Sequence, residues 1–325
     1  MTRRGLGALT VIESISPRSS GSVAGAAIPE VDICVCTYHR PAVADALAAL
    51  AGQDGRDAIR FRIIVADNAQ DPEAQSLVTG VARNLGLDLL YLHAPANNIS
   101  VARNACLETA TADWIAFLDD DERAESGWLR AIIAEAERGS WDAVLGPVQA
   151  VYPSSVPRWL KSGDFHSTRP VFVHGRIETG YTGNVVIRRS RIEGAKLRFK
   201  PELGRSGGED VDFFYRLRDA GGRIGFAADA LAVETVPPQR ANLSWLLKRA
   251  FRAGQTHGAR LANKSSGPAG RAANFCLASA KAGACAVSAA ACLPAVVRRN
   301  GFLTRSALHC GVAARLIGIS EIKFY

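Results

Sequence analysis

The feature that most constrains this chain is a strand–helix alternation that starts at Val31 and repeats four times. VDICVCTY (Val31–Tyr38) is an apolar run of strand length, and a helical pattern follows from Pro41 to about Ala51. FRIIVAD (Phe61–Asp67) precedes a helix near Pro72–Asn84, and LDLLYLH (Leu87–His93) precedes one over Ser100–Thr109. DWIAFLD (Asp113–Asp119) leads into a helix around Gly127–Arg138. Short apolar strands separated by helices, with connections of a few residues, predict an α/β fold with a parallel, doubly wound, Rossmann-like sheet flanked by helices. Ligands of such sheets sit beyond the carboxyl ends of the strands. Three of these strands end in polar residues suited to that place: Thr37, Asp67 and Asp119.

After Trp141 the rhythm loosens. AVLGPVQAVY (Ala143–Tyr152) reads as one strand, and Pro153, Pro157, Gly163 and Pro170 then punctuate a long irregular segment. Trp159, Phe165, His166 and Arg169 within it favour a binding surface over a linker, since long irregular segments in compact domains are commonly functional. Tyr181–Arg189 returns to strand character, Gly207–Gly222 reads as a helix entered and stopped by glycines, and Ile224–Val236 closes the core with one or two strands.

Past Pro238 the composition changes. Residues 236–325 hold 13 Lys and Arg against one acid, Glu321, whereas the rest of the chain holds 26 basic and 30 acidic residues. The basicity therefore belongs to the C-terminal quarter and points to an anionic surface as its partner. Trp245–Leu261 is a basic helix carrying Lys248, Arg249, Arg252 and Arg260. The charge-free run Ala282–Val297 is 16 residues long and contains Pro294. A spanning helix needs roughly 20 apolar residues, so these helices are expected to lie on an anionic leaflet or to pack as solvated helices on the catalytic domain. The expected organisation is a mobile N-terminal tail over 1–29, an α/β domain over 30–236 and a basic α-helical region over 237–325. At 48% hydrophobic and 22% charged the chain is not a disordered one. Its seven cysteines include no CxxC pair and its histidines no HExxH spacing, so disulfides and a zinc site are not expected. The apolar run Leu6–Ile12 is too short for a signal peptide and is broken by Glu13, and a reducing, cytoplasmic location is expected.

Three segments carry the chemistry. Asp119-Asp120-Asp121-Glu122 clusters carboxylates at the end of an apolar strand, which is costly without a counter-charge. A hard divalent cation, Mg²⁺ or Mn²⁺, meets that need through Asp119 and Asp121; an acidic helix N-terminus is the other reading. Gly207-Gly208-Glu209-Asp210 opens a helix with two carboxylates, suited either to accepting a hydroxyl proton or to capping. Asn97–Asn104 is a polar helix opening in which Arg103 pairs with a nucleotide, with Asp67 or with a surface acid.

In this order the segments resemble family 2 glycosyltransferases of the GT-A fold. The resemblance rests on Cys36-Thr37-Tyr38-His39-Arg40-Pro41, Asp67-Asn68, Asn98–Asn104, the DxD-type run Asp119–Asp121, Gly180-Tyr181-Thr182-Gly183-Asn184 and Glu209-Asp210. Pro157–Thr168, Gly207–Phe214 and Arg252–Gly258 further resemble the bacterial exopolysaccharide glucosyltransferases of succinoglycan assembly. The resemblance implies a metal-dependent, inverting transfer of a single hexose, glucose from UDP-glucose, onto a lipid-linked oligosaccharide. Thr37, Asp67, Arg103, Asp119 and Asp120 are implied for the nucleotide sugar, with Asp67 on the uracil and Asp120 on the ribose. Asp121 with Asp119 is implied for Mn²⁺ or Mg²⁺, Asp210 for the general base with Glu209 beside it, and Trp159, His166, Arg169 and Asn184 for the acceptor side. The QxxRW motif of processive members is missing from Arg249–His257, which favours addition of one sugar over polymerisation. The expected place is peripheral, on the anionic cytoplasmic face of the inner membrane.

Two rival readings remain at this stage. A sugar nucleotidyltransferase needs a Gly-rich loop after the first strand, where this chain has Thr37–Pro41. A non-catalytic nucleic-acid-binding protein would explain the pI near 9.3, but no RNA- or DNA-binding motif accompanies the charge, and nucleic acid is not an expected partner.

Overall fold

The computed structural model describes residues 10–16, 28–55 and 58–322. In chain order these form β1 (Thr10–Ile15), β2 (Glu30–Thr37), α1 (Val43–Ala51), β3 (Arg60–Asp67), α2 (Gln75–Leu85), β4 (Leu89–His93), α3 (Ile99–Thr109) and β5 (Trp114–Asp119). Next come β6 (Glu122–Ala124), α4 (Trp128–Arg138), β7 (Ala143–Leu145), β8 (Val148–Val151), α5 (Arg158–Gly163), β9 (Phe172–Val173) and β10 (Arg176–Ile177). The remainder is β11 (Asn184–Arg188), α6 (Arg189–Gly194), α7 (Glu209–Asp219), β12 (Ile224–Phe226), β13 (Ala232–Thr235), α8 (Leu243–Lys264), α9 (Gly267–Ala291) and α10 (Val296–Leu316). The chain divides into two compact units, one of 1–149, 168–205 and 209–234, the other of 150–167, 206–208 and 235–325.

The first unit is built on an eight-stranded sheet of order β1-β4-β3-β2-β5-β11-β7-β12. Its centre, β4-β3-β2-β5, is parallel throughout, as the apolar runs predict. Alternate residues of each strand face opposite sides. Ile33, Val35, Ile63 and Val65 enter one core cluster with Leu47 and Trp128, while Cys34, Ile64 and Phe117 enter another with Cys106 and Phe213. Each fully buried aliphatic side chain contributes about 1.5–3 kcal/mol, so both faces must be covered and the strands cannot alternate in polarity. Register then places the chemistry: Thr37 pairs with Asp67 and Cys36 with Asp119, so the polar strand ends meet along one edge of the sheet.

Several expectations need correction. The tail expected over 1–29 contains β1, an edge strand antiparallel to β4; the rest of that tail, save Ser16, Ile28 and Pro29, lies outside the described residues. The β-branched residues of Thr10–Ile15 suit a strand, and Glu13 forms an ion pair with Arg83 of α2. The strand expected over Ala143–Tyr152 is two strands, because Pro147 has no N–H to continue a ladder. β7 stays in the large sheet, while β8 joins β6 and β13 in a second one. β11 runs antiparallel between β5 and β7, so the sheet is mostly rather than wholly parallel. Residues 150–167, grouped above with the α/β domain, belong to the second unit.

In that second unit α10 packs against α8 and α9. Gly254 of α8 and Gly311 of α10 allow the backbones to meet: a Cβ on either would overlap the carbonyl of Leu308 or Phe251 respectively. Leu160, Val236 and Leu246 form its smaller core, with Trp159 and Phe165 in edge contact beside it. Among the described residues no helix is long and apolar enough to cross a membrane.

Candidate active site

The carboxyl edge of the first unit's sheet gathers most of the singled-out residues. Thr37 is buried at the end of β2, and its Oγ1 donates to Asp120 Oδ2 at 2.9 Å. From the connection after β2, Arg40 Nη1 donates to Asp120 Oδ1 at 2.8 Å and to Asp121 Oδ2 at 2.7 Å. The Asp119 Oδ1 atom, at the end of β5, lies 3.6 Å from Arg103 Nη2, and Arg103 Nη1 donates to Glu209 Oε1 at 2.5 Å. One buried guanidinium thus joins two acidic motifs ninety residues apart in sequence. Within the protein the partners of Arg103 are therefore Asp119 and Glu209 rather than Asp67.

Local structure fixes these positions. The Asn98 side chain caps α3 by accepting from the Ser100 N–H, and the Asn98 N–H donates to Asn68 Oδ1. The cap orients α3 so that Arg103, one turn in, is buried with the Phe199 ring 5.6 Å from its guanidinium carbon. The first turn of α7 carries Glu209, Asp210 and Asp212, where helix N-terminal N–H groups favour negative charge.

Burial raises the proton affinity of the acids here. The Asp210 carboxyl is pushed up to about 7, first by desolvation and then by the Glu209 charge, with Arg103 opposing. Asp120 is pushed up to about 6 by desolvation against the pull of Arg40. Glu209 Oε2 is buried without a hydrogen-bond partner, an acceptor aimed at nothing in the protein. Such orphaned buried acceptors are rare and mark places where a ligand donor can enter.

Glu122, to which the sequence reading assigned no role, also lies at this site. Desolvation, then Asp119, holds its carboxyl well above the usual range, and its Oε2 accepts from the Asp119 N–H at 3.3 Å. A Cβ on Gly183 would come within 2.5 Å of Glu122 Oε1 and 3.3 Å of Asp119 Oδ2, so only glycine lets β11 approach here. The signal for Glu122 was the fourth acid of the Asp119 run, too long for a simple metal pair.

Other expected residues lie elsewhere or are fully engaged. Asp67 is wholly buried; Oδ1 accepts from the Ala69 N–H at 3.0 Å, and Oδ2 from the Ala74 N–H at 3.2 Å and the Tyr91 hydroxyl at 2.6 Å. It therefore organises the loop between Ala69 and Ala74. Asn184 is also buried, accepting from Trp128 Nε1 at 2.7 Å and donating to the Pro147 and Ala230 carbonyls at 2.9 and 2.8 Å. Its amide ties β11 to two loops and offers nothing to an acceptor. In the second unit, His166 Nε2 donates to the Arg240 carbonyl, its Nδ1 bonds the Tyr152 hydroxyl, and its ring stacks on Trp245 at 5.3 Å, an internal contact set. Trp159 is half-buried in the same unit. Arg169 is exposed in the first unit, close enough to oppose the upward push of burial on the Tyr181 hydroxyl.

The donor set suits a hard divalent cation. Asp119 and Asp121 offer carboxylate oxygens, and two guanidinium groups, Arg40 and Arg103, already stand among these acids as counter-charge. Among the described residues no three His, Cys, Asp or Glu side chains form a closed cation site. Mg²⁺ typically keeps one or two protein carboxylates and completes its shell with water and phosphate oxygens.

Comparison with known proteins agrees with this geometry. The chain is 49% identical over 295 residues to "Succinoglycan biosynthesis protein ExoM" of Rhizobium meliloti (strain 1021), covering 91% of this chain and 95% of that one. It is 26% identical over 118 residues to the "GalNAc(5)-diNAcBac-PP-undecaprenol beta-1,3-glucosyltransferase" of Campylobacter jejuni, covering 34% of this chain and 36% of that one. Among solved structures, S. aureus TarS 1–349 in complex with UDP-GlcNAc superposes with a TM-score of 0.52 at 20% identity, over 68% of this chain and 65% of that chain, a likeness of fold. The model of the family described as "Glycosyl transferase family 2" matches residues 32–194, the stretch that carries β2 to β11 and the aspartate cluster, and the chain belongs to that family.

Proposed function

We propose that the protein transfers a single hexose, glucose from UDP-glucose, with inversion onto a lipid-linked oligosaccharide during succinoglycan-type exopolysaccharide assembly. The observation that carries this reading is the Arg103 bridge, which sets the donor-side Asp119 and the Glu209-Asp210 pair around one buried cation. The name of the relative at 49% identity supports the pathway, and that of the Campylobacter relative supports a lipid-linked acceptor.

Asp210 is the general base. A base is most effective with a pKa near the working pH, and burial beside Glu209 brings Asp210 to about 7. Its carboxylate takes the acceptor hydroxyl proton as that oxygen attacks the anomeric carbon. Glu209 Oε2, held by the Arg103 contact at its other oxygen, receives a hydrogen bond from a sugar hydroxyl and orients it. Thr37 and Asp120 form the ribose side, and Asp67 shapes the Ala69–Ala74 loop that meets the uracil. Asp119 and Asp121 would hold Mn²⁺ or Mg²⁺, which supplies positive charge to the departing diphosphate. The basic helices α8 to α10 rest the enzyme on the anionic cytoplasmic leaflet of the inner membrane, beside its acceptor.

The test is incubation with a panel of UDP-sugars and extracted lipid-linked oligosaccharides, with Mn²⁺, Mg²⁺ or a chelator. UDP release that requires UDP-glucose, acceptor and cation together is expected. Pyrophosphate release, or turnover undiminished by the chelator, would contradict the reading.

A further inference from the structure

Arg40 has no part in the assignment above, yet it is the residue in closest contact with the aspartates. Arginine–carboxylate pairs are frequently bidentate, with two parallel N–H bonds to one carboxylate. Arg40 instead uses one nitrogen, Nη1, for two different carboxylates, Asp120 and Asp121, at 2.8 and 2.7 Å. Among the described residues its Nε and Nη2 have no hydrogen-bond partner, and its side chain is 39% exposed. It sits on a short connection beside Tyr38, which is 44% exposed, and α1 beyond it has no side-chain cap to anchor its start. By contrast Arg103 is buried and held by Glu209 from another element.

Building on the cation role of Asp119 and Asp121, we propose that Arg40 is a displaceable counter-ion that becomes a diphosphate-positioning residue. In the nucleotide-free protein it neutralises Asp120 and Asp121. When Asp121, together with Asp119, receives the divalent cation, the two like charges cannot share the place, and the guanidinium turns its unused N–H groups to an oxygen of the diphosphate. Cation and nucleotide then promote each other's binding, because each relieves the same arginine of a contact or gives it a new one.

The experiment measures Mn²⁺ binding by electron paramagnetic resonance in the full chain, with Mn²⁺ alone and with UDP added, for the wild type and for Arg40→Gln and Arg40→Lys. Removing a charge some 5 Å from a divalent ion should tighten binding of Mn²⁺ alone about tenfold in Arg40→Gln. The gain in Mn²⁺ affinity on adding UDP should shrink by a similar factor, while Arg40→Lys keeps the wild-type weakness toward Mn²⁺ alone. Equal Mn²⁺ affinity and equal coupling in wild type and Arg40→Gln would overturn the proposal. If no protein binds Mn²⁺ even with UDP, the cation role of the aspartates fails and this proposal with it, an outcome separate from the first.

Discussion

The two units of this chain use apolar surface in opposite ways. In the α/β unit the strands are apolar along their length and both sheet faces are closed, so Ile33, Ile63, Val65 and Phe117 are at most 2% exposed. In the helical unit α9 buries only the stripe Ala278, Ala282 and Ala289. Its opposite face, including Leu277, Ala280, Ala284 and Val287, is exposed, and the turn into α10 exposes Leu293 and Val296 just before Arg298 and Arg299. A closed core makes a rigid frame that can hold buried charges at its edge. An apolar helix face flanked by cations instead suits, on the function proposed above, the surface of an anionic bilayer. On that proposed function, the contrast places chemistry in one unit and attachment in the other.

The strongest way to break that contrast is Asp210→Asn. Loss of the base should lower turnover by about 10³-fold while UDP binding by calorimetry is retained. Wild-type kcat/KM should rise with pH up to about 7 and level off above it, because only the ionised Asp210 accepts a proton. The same shift has a stability sign: a carboxyl raised by burial favours folding least when ionised, so its contribution falls as pH rises from the ordinary aspartate range toward about 7. A flat profile from pH 5.5 to 8 would remove the base from this residue.

A smaller effect, on stability alone, is expected from Asn184→Ala. It leaves Trp128 Nε1 and the Pro147 and Ala230 carbonyls without their partner, which should cost about 2–3 kcal/mol in denaturant unfolding. An acceptor-binding role would instead raise KM with stability unchanged.

The smallest effect on the folded protein belongs to the helical unit. Leu277→Glu with Val287→Glu changes exposed positions and should shift unfolding by less than about 0.5 kcal/mol. Co-sedimentation with phosphatidylglycerol vesicles should nevertheless fall about tenfold, with no change on a soluble acceptor. Unaltered vesicle binding would show that α9 does not meet lipid.

Much of the frame was legible in the sequence because buried parallel strands announce themselves as unbroken apolar runs and register follows from their ends. The acids of the site were legible for the same reason: Asp119 and Asp67 finish such runs. What escaped depends on contacts between distant segments. The partners of Arg103, on β5 and α7, are set by how α3 lies on the sheet. The structural role of Asn184, placed on the acceptor side by resemblance, escaped because its three partners come from separate loops and α4. The upward push of burial on the Glu122 carboxyl is something no local pattern reports, and β1 was missed because an edge strand of six residues carries little periodicity.

The most direct test of the account is a crystal structure of Asp210→Asn with UDP-glucose and Mn²⁺. The account predicts the diphosphate against Asp119–Asp121, with the sugar's anomeric carbon facing residue 210 and Arg103 still bridging Asp119 and Glu209. A nucleotide bound away from the carboxyl ends of β2 and β5, or an Arg103 that has left Glu209 to hold the phosphates, would contradict it.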